Sequence, residues 1–196
     1  MTYFEVFGLP RTLRIDGGEL QAKFYELSRR HHPDFQQAAS HEEQARALTQ
    51  SALVNAAYRT LRDPIARVDY LVRLEEGRET REGSAMKPPA PPELLQEIFE
   101  IQEMLEDAKA GGLDAGGREQ LAAERERLAA RCREEEERLT GALSSDWDAA
   151  VPSDRPRLVT AFKEVLARRA YLRTVVDDLD AALDGTEESD VAHHRH

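Results

Sequence analysis

The chain has 196 residues, a net charge of −11, 40% hydrophobic and 6% aromatic residues and one cysteine, enough for one medium domain or two small ones. The acidic balance excludes general attraction to nucleic acid or to an anionic membrane. The lone cysteine excludes an internal disulfide and a cysteine-built zinc site, and no apolar run is long enough to span a bilayer. Leu, Ala, Glu and Arg dominate, which predicts an all-α fold. A single thiol and an N-terminus without a basic, apolar leader predict a cytoplasmic protein.

Residues 3–10, YFEVFGLP, read as a short apolar helix or turn closed by Gly8 and Pro10. Asp16 and Glu19 then form a capping-box-like pair at a helix start. Leu20, Phe24 and Leu27 share one face of that helix, which runs to His31. Pro33 stops it, because the residue before a proline avoids helical geometry. After a polar loop, a helix is predicted over 42–62 with Ala45, Leu48, Ala52, Ala56 and Leu61 near one stripe. Asp63-Pro64 breaks it, and a shorter helix over 65–74 carries Val68, Leu71 and Val72. Residues 1–74 hold 10 Lys and Arg against 9 Asp and Glu, so the whole net negative charge lies beyond them.

Residues 75–92 end in KPPAPP, and 75–91 read as a stiff, extended linker; a long surface loop within one domain is the alternative. Helices are predicted over 92–110, 115–143 and 154–183. Pro92 opens the first and Gly111-Gly112 close it. Leu121, Leu128, Cys132, Leu139 and Leu143 stripe the second. The third carries Leu158, Phe162, Val165, Leu172, Val176, Leu179 and Leu183. Three amphipathic helices with short connections predict an antiparallel bundle over 92–184, followed by a polar, disordered tail over 185–196. Cys132 reads as core, and Trp147 as pinning the connection between the last two helices to the bundle. His193, His194 and His196 have no spacing that defines a metal site.

Within 92–110, Leu94, Ile98, Ile101 and Leu105 form the core sector at about 100° per residue. Leu95 and Phe99 fall roughly 100° away from it, a second apolar stripe that widens the core, packs on the N-terminal part or binds a partner. Tyr171 lies on the opposite side of its helix from Phe162, Val165 and Val176.

His32-Pro33-Asp34 between two amphipathic helices resembles the J domain. Taken alone, the tripeptide also reads as a helix stop and turn, with Asp34 capping the next segment. The flanking segments YFEVFGLP, LVNAAYRTL over 53–61 and DPIARVDYL over 63–71 narrow the resemblance to the HscB family, the J proteins of iron–sulfur cluster biogenesis. The resemblance covers residues 1–183 and implies a J domain over 1–74, a helical hairpin with an HPD loop. With the C-terminal three-helix bundle this makes an L-shaped, two-domain protein. It implies a co-chaperone, not an enzyme, that needs no cofactor or metal. One partner is a DnaK- or HscA-type ATPase, met by His32, Pro33 and Asp34, with Lys23, Arg29 and Arg30 as the basic steering face. The other is an IscU-type cluster scaffold, met by Leu95, Phe99, Glu103 and Tyr171, with Gln96 and Glu100 as secondary contacts. Phe35 departs from J domains that carry lysine after the tripeptide, and Gln96 stands where relatives can be apolar. A general J protein whose bundle binds another client or dimerises is the alternative. An acid–base enzyme built on His32 and Asp34 lacks a phosphate loop and a convergent carboxylate set.

Overall fold

The computed structural model describes the backbone of residues 1–31, 40–78, 92–111 and 114–193, and their side chains except those of 93, 96, 98, 107–111 and 185–193. Eight α-helices are found among them: α1 Tyr3–Val6, α2 Gly17–Arg30, α3 His41–Arg62, α4 Pro64–Glu75, α5 Pro92–Gly111, α6 Ala115–Arg138, α7 Ser144–Ala149 and α8 Arg155–His193. No strand occurs among the described residues. None of their helices is long and apolar enough to cross a membrane.

The boundaries follow local chemistry. Thr2 and Ser40 each close a capping box, with Glu5 and Glu43 respectively, which satisfies otherwise orphaned amides. The Asp16 side chain accepts from the Glu19 amide at 2.7 Å, and Asp63 caps α4 ahead of Pro64. Two glycines close helices in the left-handed region, Gly8 at φ 60° and Gly77 at φ 64°. After Gly8 and Gly77 the amides of Leu9 and Arg78 reach back to the Phe4 and Arg73 carbonyls at 2.9 and 3.0 Å. That doubled-back ending needs a residue without a Cβ penalty at positive φ.

The described chain forms two compact units. Unit 1 comprises Met1–Glu82 together with Leu139–Phe162. Its buried side chains include Phe4, Phe7, Leu20, Leu61, Tyr70, Leu71, Leu139, Trp147 and Phe162. Tyr3 and Tyr70 stack with ring centroids 4.5 Å apart, and the Tyr3 amide donates to the Tyr70 hydroxyl at 2.7 Å. Unit 2 comprises Gly83–Arg138 with Lys163–His196. Its core joins Leu94, Ile101 and Leu105 of α5 to Leu121, Leu128 and Cys132 of α6 and Leu172, Val175, Val176 and Leu179 of α8.

Several expectations are revised. The buried stripe of α3 is Ala47, Val54, Ala57 and Leu61, while Ala45 and Ala52 are exposed and Leu48 is 64% exposed. An alanine-rich helix has too little hydrophobic contrast for its pattern alone to choose a face. The predicted helix over 115–143 is α-helical only to Arg138 and continues as one π-helical turn, Leu139–Leu143. There the buried Ser144 hydroxyl donates to the Leu139 carbonyl at 2.6 Å. Trp147 belongs to unit 1, not to the bundle of unit 2. α8 runs on to His193, past Gly185; no proline interrupts residues 186–193, and a single glycine costs a helix only about 1 kcal/mol.

Candidate functional site

Two faces carry the predicted contacts, one in each unit. In unit 1, α2 and α3 pack on each other, with Phe24 stacked on Tyr58 at 4.0 Å between ring centroids. They flank the tripeptide in sequence; His32, Pro33 and Asp34 lie outside the described residues. The last described residue before them, His31, closes α2 by donating its amide to the Leu27 carbonyl at 3.0 Å. Arg29 and Arg30 occupy the last turn of α2, where cations oppose the negative end of the helix dipole.

The basic face is partly neutralised. Lys23 Nζ lies 2.9 Å from Glu19 and Arg30 lies 3.1 Å from Glu26, both pairs one helical turn apart. Such exposed pairs contribute about 0.3–0.5 kcal/mol and exchange readily for a partner's carboxylates. Arg29 is exposed and makes no ion pair among the described residues. Ala22, Tyr25, Glu26, Arg29 and Arg30 line a shallow depression. Tyr25 was missed in the sequence. It is 59% exposed and its hydroxyl accepts from Gln21 at 3.3 Å. Its signal was available, since Tyr25 is an aromatic off the Leu20–Phe24–Leu27 stripe.

In unit 2, α5 divides as its two stripes require. Leu94, Ile101 and Leu105 are buried, while Leu95 is 43% and Phe99 68% exposed. The second stripe therefore does not widen the core. Glu100 and Glu103 are exposed on the same helix. The side chains of Gln96 and Ile98 lie outside the described residues. Tyr171 is half-buried, packed against the edge of the core shared by α5, α6 and α8. Burial, then the nearby Asp178 carboxylate, pushes its hydroxyl pKa up. The structure thus sets Tyr171, on the opposite side of its helix from Phe162, Val165 and Val176 in the sequence, at a core margin.

Glu97 anchors α5 to α6. It lies 2.7 Å from Arg131 and also pairs with Arg127. Burial acts to raise its carboxyl, but hydrogen bonds from Arg131 and Arg127 outweigh it and hold the group below its ordinary value. Arg125–Asp180 at 2.8 Å, Arg168–Glu135 at 2.9 Å and Arg169–Glu136 at 2.7 Å tie α6 to α8. Cys132 is buried, its thiol raised chiefly by desolvation, as suits a packing residue. No cluster of potential metal ligands occurs among the described residues.

Comparison with known proteins accounts for both regions. A DnaJ domain model matches residues 2–70, and a model of the HSCB C-terminal oligomerisation domain matches residues 90–153. A co-chaperone protein HscB homolog of Aliivibrio salmonicida is 38% identical over 108 residues, covering 55% of this chain and 61% of that protein. A homolog of Ralstonia nicotianae is 40% identical over 115 residues, covering 58% and 64%. The match thus spans less than two thirds of these relatives' own length. Among solved structures, the chaperone HscB from Vibrio cholerae matches with a TM-score of 0.64 at 28% identity, covering 95% of this chain and 99% of that one. The human co-chaperone protein HscB matches with a TM-score of 0.62 at 27% identity, covering 92% and 81%.

Proposed function

The chain belongs to the HscB family, and we propose that it is a two-point adaptor between a DnaK- or HscA-type chaperone and an IscU-type iron–sulfur scaffold. Residues 1–74 act as the ATPase activator, 75–91 as the connection and, of 92–184, the part outside Leu139–Phe162 as the cargo module, since those residues belong to unit 1. Asp34 is a short carboxylate suited to a charge-assisted bond with an arginine of the ATPase. His32 and Pro33 join it in the proposed contact. Lys23, Arg29 and Arg30 steer the encounter with an acidic surface. The cargo meets Leu95 and Phe99, with Glu100 and Glu103 beside them, Tyr171 at the margin, and Gln96 as a secondary contact. Holding cargo and activator on one chain raises their effective concentration, so the second contact needs no new diffusional search. The chain itself catalyses no reaction in this scheme. A reducing, cytoplasmic compartment suits its single thiol.

The observation that carries this reading is the capped, packed α2–α3 pair bracketing the HPD tripeptide within the stretch matched by the DnaJ model. Steady-state ATPase titrations test it. Asp34→Asn is expected to abolish stimulation of the chaperone and to leave cargo affinity unchanged. Leu95→Ala combined with Phe99→Ala is expected to weaken scaffold binding about 30-fold, the scale of losing interface hot spots, with stimulation by the chain alone preserved. If calorimetry finds no binding to a cluster scaffold, the cargo assignment is wrong and a general J protein remains. The description of the C-terminal family model favours one second reading, self-association through the exposed Phe99 face. A sedimentation mass twice that of the chain, restored to one by Phe99→Ala, would support it.

A further inference from the structure

The loop between α1 and α2 is fastened by side chains remote in sequence. The amides of Leu13 and Arg14 donate to the two carboxylate oxygens of Asp148 at 2.7 and 2.9 Å. The Trp147 indole donates to the Arg11 carbonyl at 3.1 Å. The Leu13 carbonyl accepts from Arg67, whose Nε also donates to the Leu61 carbonyl at 2.7 Å. Four main-chain groups of residues 11–14 are thereby satisfied by three side chains. Two of these come from α7, within the stretch matched by the C-terminal family model and outside the 2–70 match to the DnaJ model.

The clasp lies just ahead of α2, which starts at Gly17 behind its Asp16 cap. Leu20 is the only fully buried side chain of α2 among the described residues, and Phe24 stacks on Tyr58 of α3. A bidentate carboxylate on consecutive amides fixes both position and rotation of the chain entering the helix. Arg67 completes the arrangement: it is 6% exposed, and the Asp63 and Asp148 carboxylates partly offset the desolvation of its guanidinium.

We propose that Asp148 and Trp147 are positioning residues for chaperone activation, holding the start of α2 so that Lys23, Arg29 and Arg30 meet the ATPase in one register. The proposal rests on the ATPase-activating role proposed above. It assigns part of the activating geometry to a segment that a J domain cut from this chain at residue 74 would lack.

A plain structural staple and a positioning clasp differ in what they move. The test uses the full chain, a titration of DnaK ATPase stimulation and amide hydrogen exchange. Asp148→Ala is expected to raise the concentration for half-maximal stimulation about tenfold, the scale of losing a charge-assisted bond pair. Maximal stimulation stays unchanged, and exchange accelerates throughout residues 17–30. Acceleration confined to Leu13 and Arg14 with an unchanged titration would overturn the proposal. Trp147→Phe keeps the ring and removes only the indole donor, so it carries the test if Asp148→Ala fails to fold. A shift of about threefold is expected for that milder loss, and no shift overturns the proposal. If the unaltered chain stimulates no such ATPase, the activating role has failed instead. Exchange across α2 in the variants then decides the clasp alone, and unchanged exchange there refutes it.

Discussion

Units 1 and 2 are both helical, yet they are fastened by different chemistry. Unit 1 uses side chains that bond to distant main chain: Tyr70 to Tyr3, Arg67 to Leu13, Trp147 to Arg11 and Asp148 to Leu13 and Arg14. Unit 2 uses side chains that bond to one another across long helices, as in Glu97–Arg131, Arg125–Asp180 and Arg168–Glu135. The reason lies in the backbone. A short helix followed by an irregular loop leaves amides and carbonyls without helical partners, and here polar side chains from elsewhere satisfy several of them. Long uninterrupted helices satisfy their own main chain, so what remains to be set is rotation and register, which surface ion pairs can bias. The cores differ in the same sense. Phe4, Phe7, Tyr70, Trp147 and Phe162 fill unit 1, whereas the buried core of unit 2 is aliphatic but for Cys132.

The sharpest way to break this contrast is to remove the indole at residue 147. Trp147 is 2% exposed, meets Phe162 edge-on with centroids 6.2 Å apart, and has the Arg155 guanidinium 5.1 Å over its ring. Trp147→Ala is expected to cost unit 1 about 3–5 kcal/mol. Urea unfolding followed by circular dichroism should show one helical transition moving to lower denaturant while a second, from unit 2, holds its midpoint. Leu128→Ala is the reciprocal experiment. Leu128 is 1% exposed within the α5–α6–α8 core, so about 2–4 kcal/mol is expected, lost from the other transition. Equal movement of both transitions by either variant would mean the units do not unfold separately.

Most of the secondary structure was legible because it is written in caps and breakers. Pro64 and Pro92 opened the helices predicted near them, and the α3 boundaries agree to one residue with the prediction. The second apolar stripe on α5 was equally legible, because Leu95 and Phe99 violate the period that Leu94, Ile101 and Leu105 keep. Tertiary choices were not. Nothing local marks Arg67 as buried, since its carbonyl partner on Leu13 is 54 residues away. Trp147 lies between two helices that the sequence assigns to one bundle, but its hydrogen bond goes to Arg11 and residues 139–162 around it belong to unit 1. The π-helical turn Leu139–Leu143 is not marked in the sequence, where 115–143 reads as one helix; the Ser144 hydroxyl bonds the Leu139 carbonyl at this turn. Of the candidate sites, the tripeptide stands out in the sequence together with its flanking segments and lies outside the described residues, whereas the exposure of Tyr25 is seen only in the structure.

Salt offers a gentler separation. The ion pairs that tie α5, α6 and α8 are partly exposed, and at 1 M salt the screening length falls to about 3 Å. Each such pair contributes about 0–1 kcal/mol, so raising sodium chloride from 50 mM to 1 M is expected to lower the transition of unit 2 by about 1–2 kcal/mol relative to that of unit 1. An equal response would remove the electrostatic half of the comparison.

The smallest predicted effect isolates one carboxylate. Glu97 has a folded pKa below its ordinary value, because bonds from Arg131 and Arg127 overcome the opposing effect of burial. A carboxyl depressed on folding stabilises the native state above its unfolded pKa of about 4.3 and loses that contribution as pH falls through the lower folded value. Glu97→Gln is therefore expected to cost unit 2 about 1 kcal/mol at pH 7, and progressively less as pH falls below about 4. Glu5 and Glu43 of unit 1 are also depressed, first by backbone amides at Thr2 and Ser40, so acid weakens both units. Only in unit 2 should the loss depend on residue 97. Urea midpoints of the parent and Glu97→Gln chains at pH 7 and pH 3 measure this difference, and a gap that stays constant with pH would show that the Glu97 pairs make no net contribution as ions.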